Sequence, residues 1–312
     1  MHNVVIYRER YHMPQFAIID APSILGLRPT GVQYLPETLK AAGLMKKLKA
    51  EYAGRVLSLL PYNPQRDKST LLLNPYTIKA FSLQLAGKVI SILNKKQFPI
   101  VLGGDCSILI GNLLALRKMG SSSSSSRYGL LFIDGHADFY QPGASLTGEV
   151  ADMDLAIVSG RGPDILTDIE GLKPLVLDQD VVVFGCRDRD QAASYGSQDV
   201  YKTNMHIFDL EKVLTLGIRH AASLAIEKLM NDDFAGFWIH LDADVLDDAI
   251  MPAVDYRLDG GGLSFSDLSE LLKIILGSGC AVGMDITIFN PLLDVDGSIT
   301  RRFISSIVAG LS

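Results

Sequence analysis

The sequence predicts a doubly wound α/β fold on a largely parallel sheet, and three observations carry that expectation. Short apolar runs alternate with longer amphipathic ones. The apolar runs lack the period-two alternation of half-exposed strands, as strands buried on both faces do. Charged residues gather directly behind several runs, where open parallel sheets keep their ligand sites. With 312 residues, 48% of them hydrophobic, the chain can bury a large core, and one domain spanning 1–312 is expected.

The candidate strands are Phe16–Ile19, Val56–Leu59, Pro99–Leu102, Gly129–Ile133, Val181–Phe184, His206–Phe208, Gly236–Leu241 and Ala281–Asp285. Between them, residues 76–93, 107–119 and 218–230 carry apolar side chains at helical spacing. Ser264 opens a Ser-x-x-Asp capping box with Asp267 ahead of the apolar run 268–276, which marks a helix start. The serine run 121–126 is too polar to pack and is expected to be a mobile surface loop between a helix and a strand.

Composition narrows the partners. The 29 basic and 35 acidic residues give a net charge of −6 with no basic stripe, so nucleic acid is not an expected partner. No apolar run reaches membrane-spanning length, and the opening MHNVVIYRERYHMPQF places charges and a proline where a signal peptide needs an apolar stretch. A cytoplasmic protein without membrane association is expected. Cys106, Cys186 and Cys280 are odd in number and match neither a disulfide framework nor a zinc knuckle, so reduced thiols are expected.

Chemistry collects behind two strands. Residues 129–133 run into Asp134, Gly135, His136, Ala137 and Asp138, and residues 236–241 run into Asp242, Ala243 and Asp244. Buried carboxylates cost several kcal/mol unless paired or bound to a cation, so four of them with an imidazole at two strand ends point to a divalent ion. An oxygen-rich set with a histidine suits manganese better than a structural zinc. If the strands continue, alternation turns Asp134, His136 and Asp138 to one side, and Asp242 and Asp244 likewise. Taken singly, each Asp also reads as a turn residue or helix cap.

Gly103, Gly104, Asp105, Cys106 and Ser107 follow a strand and precede an apolar helix; the glycines permit a tight turn and Asp105 or Ser107 can cap the helix. Arg187, Asp188, Arg189 and Asp190 follow a fourth strand, as a site element or as a solvated turn.

The order GGDCS, DGHAD, HLDADVLDDAIMP resembles the ureohydrolase superfamily, whose signatures run GGDHS, DAHxD, SxDxDxxDPxxxP at comparable intervals. The likeness extends from about Pro99 to Pro291, with GCRDRD similar to the family's GxRD segment and MDITIFNP to its strand ending in EVNP. It implies an arginase-like three-layer α/β/α sandwich with a mostly parallel sheet, paired manganese ions, release of urea or a related small amide, and a homo-oligomer. By position it implies that Asp134 and Asp242 bridge two metals, that His136 and Asp244 complete one site, and that Asp138 completes the other. A guanidinium carbon is a poor electrophile, and a bound metal supplies hydroxide at neutral pH by lowering the pKa of water. Asp138 is then placed to orient that hydroxide and relay its proton to the leaving amine. Asp188 and Asp190 resemble family positions near the charged tail of a small cationic substrate.

Departures from the family pattern shape the substrate expectation. Cys106 stands where the family has a His ligand, as a softer ligand or simply as a small buried residue. One metal site is thereby weakened, leaving the His136 site to fill first and the Cys106 site to a softer ion such as zinc, with nickel a further candidate. Ile288 stands where the family places a Glu that grips the guanidinium. In TGEVADMDLA the family's loop His is missing, and Glu149, Asp152 and Asp154 stand ready for cation recognition or form a solvated loop. A Cys in GGDxS is also similar to a hydroxyarginine amidinohydrolase branch that makes hydroxyurea, a likeness resting on this one position. The expected function is metal-dependent hydrolysis of a C–N bond in a guanidino or N-hydroxyguanidino compound. The alternatives are a noncatalytic or one-metal family member that binds a small cation, and a hydrolase of a non-guanidine amide or amidine.

Overall fold

In the structure, a computed structural model, residues 14–121, 127–230 and 234–312 are described. Residues 1–13 of the segment read against a signal peptide and the serine loop at 122–126 lie outside these residues; Ser121 is the last residue of a helix.

Among the described residues, eight strands form one sheet: β1 Phe16–Asp20, β2 Glu51–Arg55, β3 Phe98–Leu102, β4 Arg127–Ile133, β5 Val181–Phe184, β6 His206–Phe208, β7 Phe234–Asp242 and β8 Ala281–Thr287. Their order is β2-β1-β3-β8-β7-β4-β5-β6, and every pairing among them is parallel. Parallel strands need crossovers, and helices on both faces supply them. Helices α1 (Pro75–Asn94) and α2 (Ile108–Ser121) pack together on one face. Helices α3 (Ile218–Leu229), α4 (Phe265–Gly277) and α5 (Ser298–Gly310) cover the other. The result is the three-layer α/β/α sandwich.

Strand residues alternate between the two cores. Leu131, Ile133, Phe237, Ile239 and Leu241 join the side of α3 to α5, while Leu130, Phe132 and Trp238 join the side of α1 and α2. All are fully buried, which explains why these strands read as continuous apolar runs. The capping box forms as expected: Ser264 Oγ accepts from the Asp267 amide at 3.0 Å, and the Asp267 carboxylate accepts from the Ser264 amide at 2.9 Å.

One strand expectation is corrected. The strand expected at Val56–Leu59 is β2, Glu51–Arg55, and only Val56 at its end is buried, its amide donating to the Asp20 carbonyl at 2.9 Å. Leu57 and Leu59 are exposed. As an edge strand with mostly accessible side chains, β2 has no apolar run to read.

The candidate metal centre and active site

The four central strands, β3, β8, β7 and β4, stand side by side, and their carboxyl ends deliver the sequence-predicted segments to one place. Behind β3, Gly104 passes so close to the preceding loop that a Cβ there would lie 1.9 Å from the Ser23 carbonyl oxygen. Its own carbonyl accepts the Ile288 amide at 2.8 Å, tying the end of β3 to the end of β8. Asp105 accepts from Ser23 Oγ at 2.7 Å and from the Ser107 amide at 2.9 Å, so it braces this turn and leaves Cys106 to face the centre.

Strand alternation does not create the cluster. β4 ends at Ile133, and Asp134 to Asp138 form a turn in which Asp134 Oδ1 accepts the His136 amide at 2.6 Å. Asp138 adopts a left-handed backbone, φ +43°. β7 ends on Asp242, whose Oδ1 accepts the Asp244 amide at 2.7 Å and starts a short 3-10 turn, Ala243–Val245. These turns replace the continued strands expected from the sequence and aim carboxylates inward from loops.

Ligand-type atoms of Asp134, His136 and Asp244 lie within 4.8 Å of one another, as do those of Cys106, Asp134, His240 and Asp242, and those of Cys106, Asp138 and Asp154. Asp134 and Asp242 are thus close enough to share an ion. His136 Nδ1 stands 2.8 Å from Asp244 Oδ2. The Cys106 thiol donates to Asp242 Oδ2 at 2.9 Å and approaches Thr287 Oγ1 at 3.3 Å.

Above this cluster lies a cavity of about 210 Å³ whose lining includes His136, Asp138, Glu149, Asp152, Tyr256 and Ile288. Glu149 is fully buried; one of its oxygens accepts from Tyr256 Oη at 2.5 Å, while Oε1 has no hydrogen-bond partner and lies 3.6 Å from Arg28 Nε. Ile288 forms part of the wall in a left-handed conformation, φ +63°, an unusual and costly one for a β-branched side chain.

Three residues expected at the substrate sit elsewhere. Asp154 is fully buried below the cavity beside Cys106 and Asp138, its Oδ1 accepting the Leu155 amide and its Oδ2 unpartnered. Asp188 is buried and accepts the Ala137 amide at 3.1 Å, so it holds the DGHAD turn instead of lining the cavity. Asp190 is exposed in the first turn of a short helix, Arg189–Ser194. The physical reason is the turn after β5, which spends Asp188 on backbone and leaves Asp190 in solvent.

The electrostatics call for a cation. Asp134, Asp138, Asp154, Asp242 and Asp244 are all buried within this cluster. Burial pushes the Asp138 carboxyl well above the usual range, and the Asp134 and Asp154 charges push it further. Burial would also raise Asp134, yet the neighbouring His136 and His240 imidazoles hold it below the ordinary value. For His136, burial favours the neutral ring, but the Asp244 and Asp134 charges outweigh it and raise the pKa well above the usual value. Three buried atoms of the cluster, Asp134 Oδ2, Asp154 Oδ2 and His240 Nε2, have no hydrogen-bond partner among the described residues. Orphaned acceptors among crowded carboxylates, with imidazole and one thiol, fit a divalent ion.

A pH dependence follows from the direction of these shifts. With its pKa raised, His136 is protonated near neutrality in the metal-free protein, and Cys106, pushed up by burial and by Asp242, is a thiol. A metal must displace those protons, so affinity is expected to rise with pH and fall on acidification. Calorimetric titration with manganese or zinc in buffers of different ionisation enthalpy should show release of roughly one to three protons per chain. Heats independent of the buffer would contradict the assigned charge states.

Sequence reasoning overlooked several contributors. His240, Trp238 and Asp285 lie inside strands otherwise apolar, and a buried histidine or aspartate in such a run was the available signal. Tyr256 gave none, because only folding brings it in. Arg187 donates to the carbonyls of Asp244 and Leu246 at 2.8 and 3.3 Å, pinning the loop behind β7.

An all-parallel α/β/α sandwich with carboxylates and imidazoles converging behind its central strands defines a class of proteins that gather divalent-cation ligands at that end of the sheet. Within that class the chain belongs to the arginase family, whose sequence profile matches residues 14–311. It is 29% identical over 308 residues to an arginase of Staphylococcus aureus, covering 93% of this chain and 94% of that protein. It is 28% identical over 280 residues to an arginase of Bacillus subtilis, covering 89% and 91%. The fold matches the crystal structure of the arginase from Bacillus caldovelox with a TM-score of 0.83 at 24% identity, covering 96% of this chain and 99% of that one. Among the described residues no helix is long and apolar enough to cross a membrane.

Proposed function

We propose that the protein hydrolyses a C–N bond of a guanidino or N-hydroxyguanidino compound, releasing urea or hydroxyurea. The observation that carries this reading is the cluster of Asp134, His136, Asp138, Asp242 and Asp244 at the floor of an acid-walled cavity in an arginase-family fold. A divalent ion held there supplies hydroxide at neutral pH. We assign manganese to Asp134, His136, Asp242 and Asp244, whose oxygen and imidazole donors suit it.

The chain's own groups then divide the work. Asp138 projects into the cavity; as a carboxylate it takes the proton of the attacking water, and as the acid it returns that proton to the departing nitrogen. Glu149 Oε1 and Asp152 face the cavity as anions for the cationic part of the substrate, with Tyr256 fixing the orientation of Glu149. Burial and then the Glu149 charge push Asp152 up to about 7, so a cation beside it favours its ionised form.

A second reading, hydrolysis of a non-guanidine amide or amidine, is favoured by Ile288, which gives the wall an apolar surface. The test measures urea, hydroxyurea and ammonia release from guanidines, hydroxyguanidines and acyl amidines by protein loaded with manganese, zinc or nickel. Turnover of guanidines or hydroxyguanidines supports the first reading, turnover of amidines alone supports the second, and no turnover in any metal form removes both.

A further inference from the structure

A histidine inside a strand faces the Cys106 side of the cluster. His240 is fully buried in β7, where register places it between Phe132 on β4 and Asp285 on β8. Its ring stacks on Phe132, with centroids 4.7 Å apart at 18°. Nδ1 is 2.5 Å from Asp285 Oδ2. The other Asp285 oxygen accepts from Asn112 Nδ2 at 2.9 Å and from Trp238 Nε1. Gly283 makes the room for that indole, since a Cβ there would come within 2.2 Å of the Trp238 ring. Every group that could turn or tilt the imidazole is thus held, and Nε2 is the free nitrogen.

Nε2 is aimed into the cluster without a hydrogen-bond partner among the described residues. It lies 3.7 Å from Asp134 Oδ2, which is also buried and unpartnered. Cys106 Sγ and an Asp242 oxygen complete a group of four ligand-type atoms within 4.8 Å of one another. Donors about 2.0–2.3 Å from a zinc ion stand roughly 3–4 Å apart, and Nε2 and Asp134 Oδ2 are 3.7 Å apart. A ring whose far nitrogen is fixed by a carboxylate is the usual arrangement of a metal-binding histidine.

We propose that His240 is a metal ligand, forming with Cys106, Asp134 and Asp242 a sulfur–nitrogen–oxygen–oxygen site that selects zinc or cobalt(II) over manganese, beside the oxygen and imidazole site of His136. The ion replaces the thiol proton that Cys106 now shares with Asp242. Thiolate with imidazole is a softer, tetrahedral set, so the two neighbouring sites hold different ions. The inference rests on the metal-centre part of the proposed function and needs no particular substrate.

The test is cobalt(II) titration of the whole protein under anaerobic conditions, followed by metal analysis and absorption spectroscopy. Wild-type protein should show an intense thiolate-to-cobalt band and tetrahedral visible bands. His240→Gln should weaken cobalt at this site by at least about 10–100-fold while leaving manganese at the His136 site, and Cys106→Ser should abolish the thiolate band. X-ray absorption of the zinc-loaded wild type, which needs no variant to fold, should show one sulfur and imidazole scattering. Absence of sulfur around zinc, or unchanged cobalt binding and spectrum in His240→Gln, overturns the proposal. These readouts owe nothing to turnover: an inactive protein with the thiolate band would remove the substrate reading alone, and an active one without it would remove this inference alone.

Discussion

Asp138→Asn is expected to lower turnover by about a hundred- to ten-thousandfold, the range that positioned proton transfer contributes. Asp138 is 7% exposed, it opens onto the cavity, and its left-handed backbone points it away from the Asp134 side of the turn toward Cys106 and Asp154. The amide keeps the size and planarity of the side chain and tolerates the same backbone, so the fold should survive. What it lacks is a basic oxygen and an exchangeable proton. Circular dichroism and metal content measured beside kcat separate the effect on chemistry from loss of an ion. Full turnover with metal retained would take Asp138 out of the mechanism.

Ile288→Glu is expected to move the substrate preference toward arginine. Ile288 accepts no hydrogen bond, and each charge-assisted bond that a guanidinium forgoes there is worth roughly 1.5–3 kcal/mol, or about ten- to a hundredfold in kcat/KM. The wild-type protein should therefore hydrolyse arginine poorly relative to its preferred substrate. The replacement is also favourable locally, because Glu removes a β-branch from a residue at φ +63° whose amide is held by the Gly104 carbonyl. Efficient arginine hydrolysis by wild-type protein, or no gain in the variant with metal content unchanged, would show that Ile288 does not set recognition.

Much of this architecture is legible in the amino-acid sequence. Strands β1, β3, β4, β5, β7 and β8 stand out as apolar runs because both faces of the sheet are covered, and the carboxylates behind them stand out because buried charge needs a reason. The Ser264 capping box is equally local: three residues decide it, and it forms.

What the residues alone determined, then, was the alternation of strands and helices, the two acidic segments and their position after strands. Only the tertiary structure decided which donors share a site. Asp154 and Asp188 read alike as acidic loop residues, yet one is fully buried beside Cys106 and the other is spent on the Ala137 amide. His240 read as part of a strand, and became a candidate ligand through Asp285, 45 positions away, and Phe132, 108 positions away along the chain. β2 escaped because its side chains are mostly accessible and leave no apolar run. The physical reason is common to all three: periodicity and local hydrogen bonding are written over a few neighbouring residues, whereas the aim of a buried nitrogen or carboxylate depends on register and packing between strands far apart in the chain.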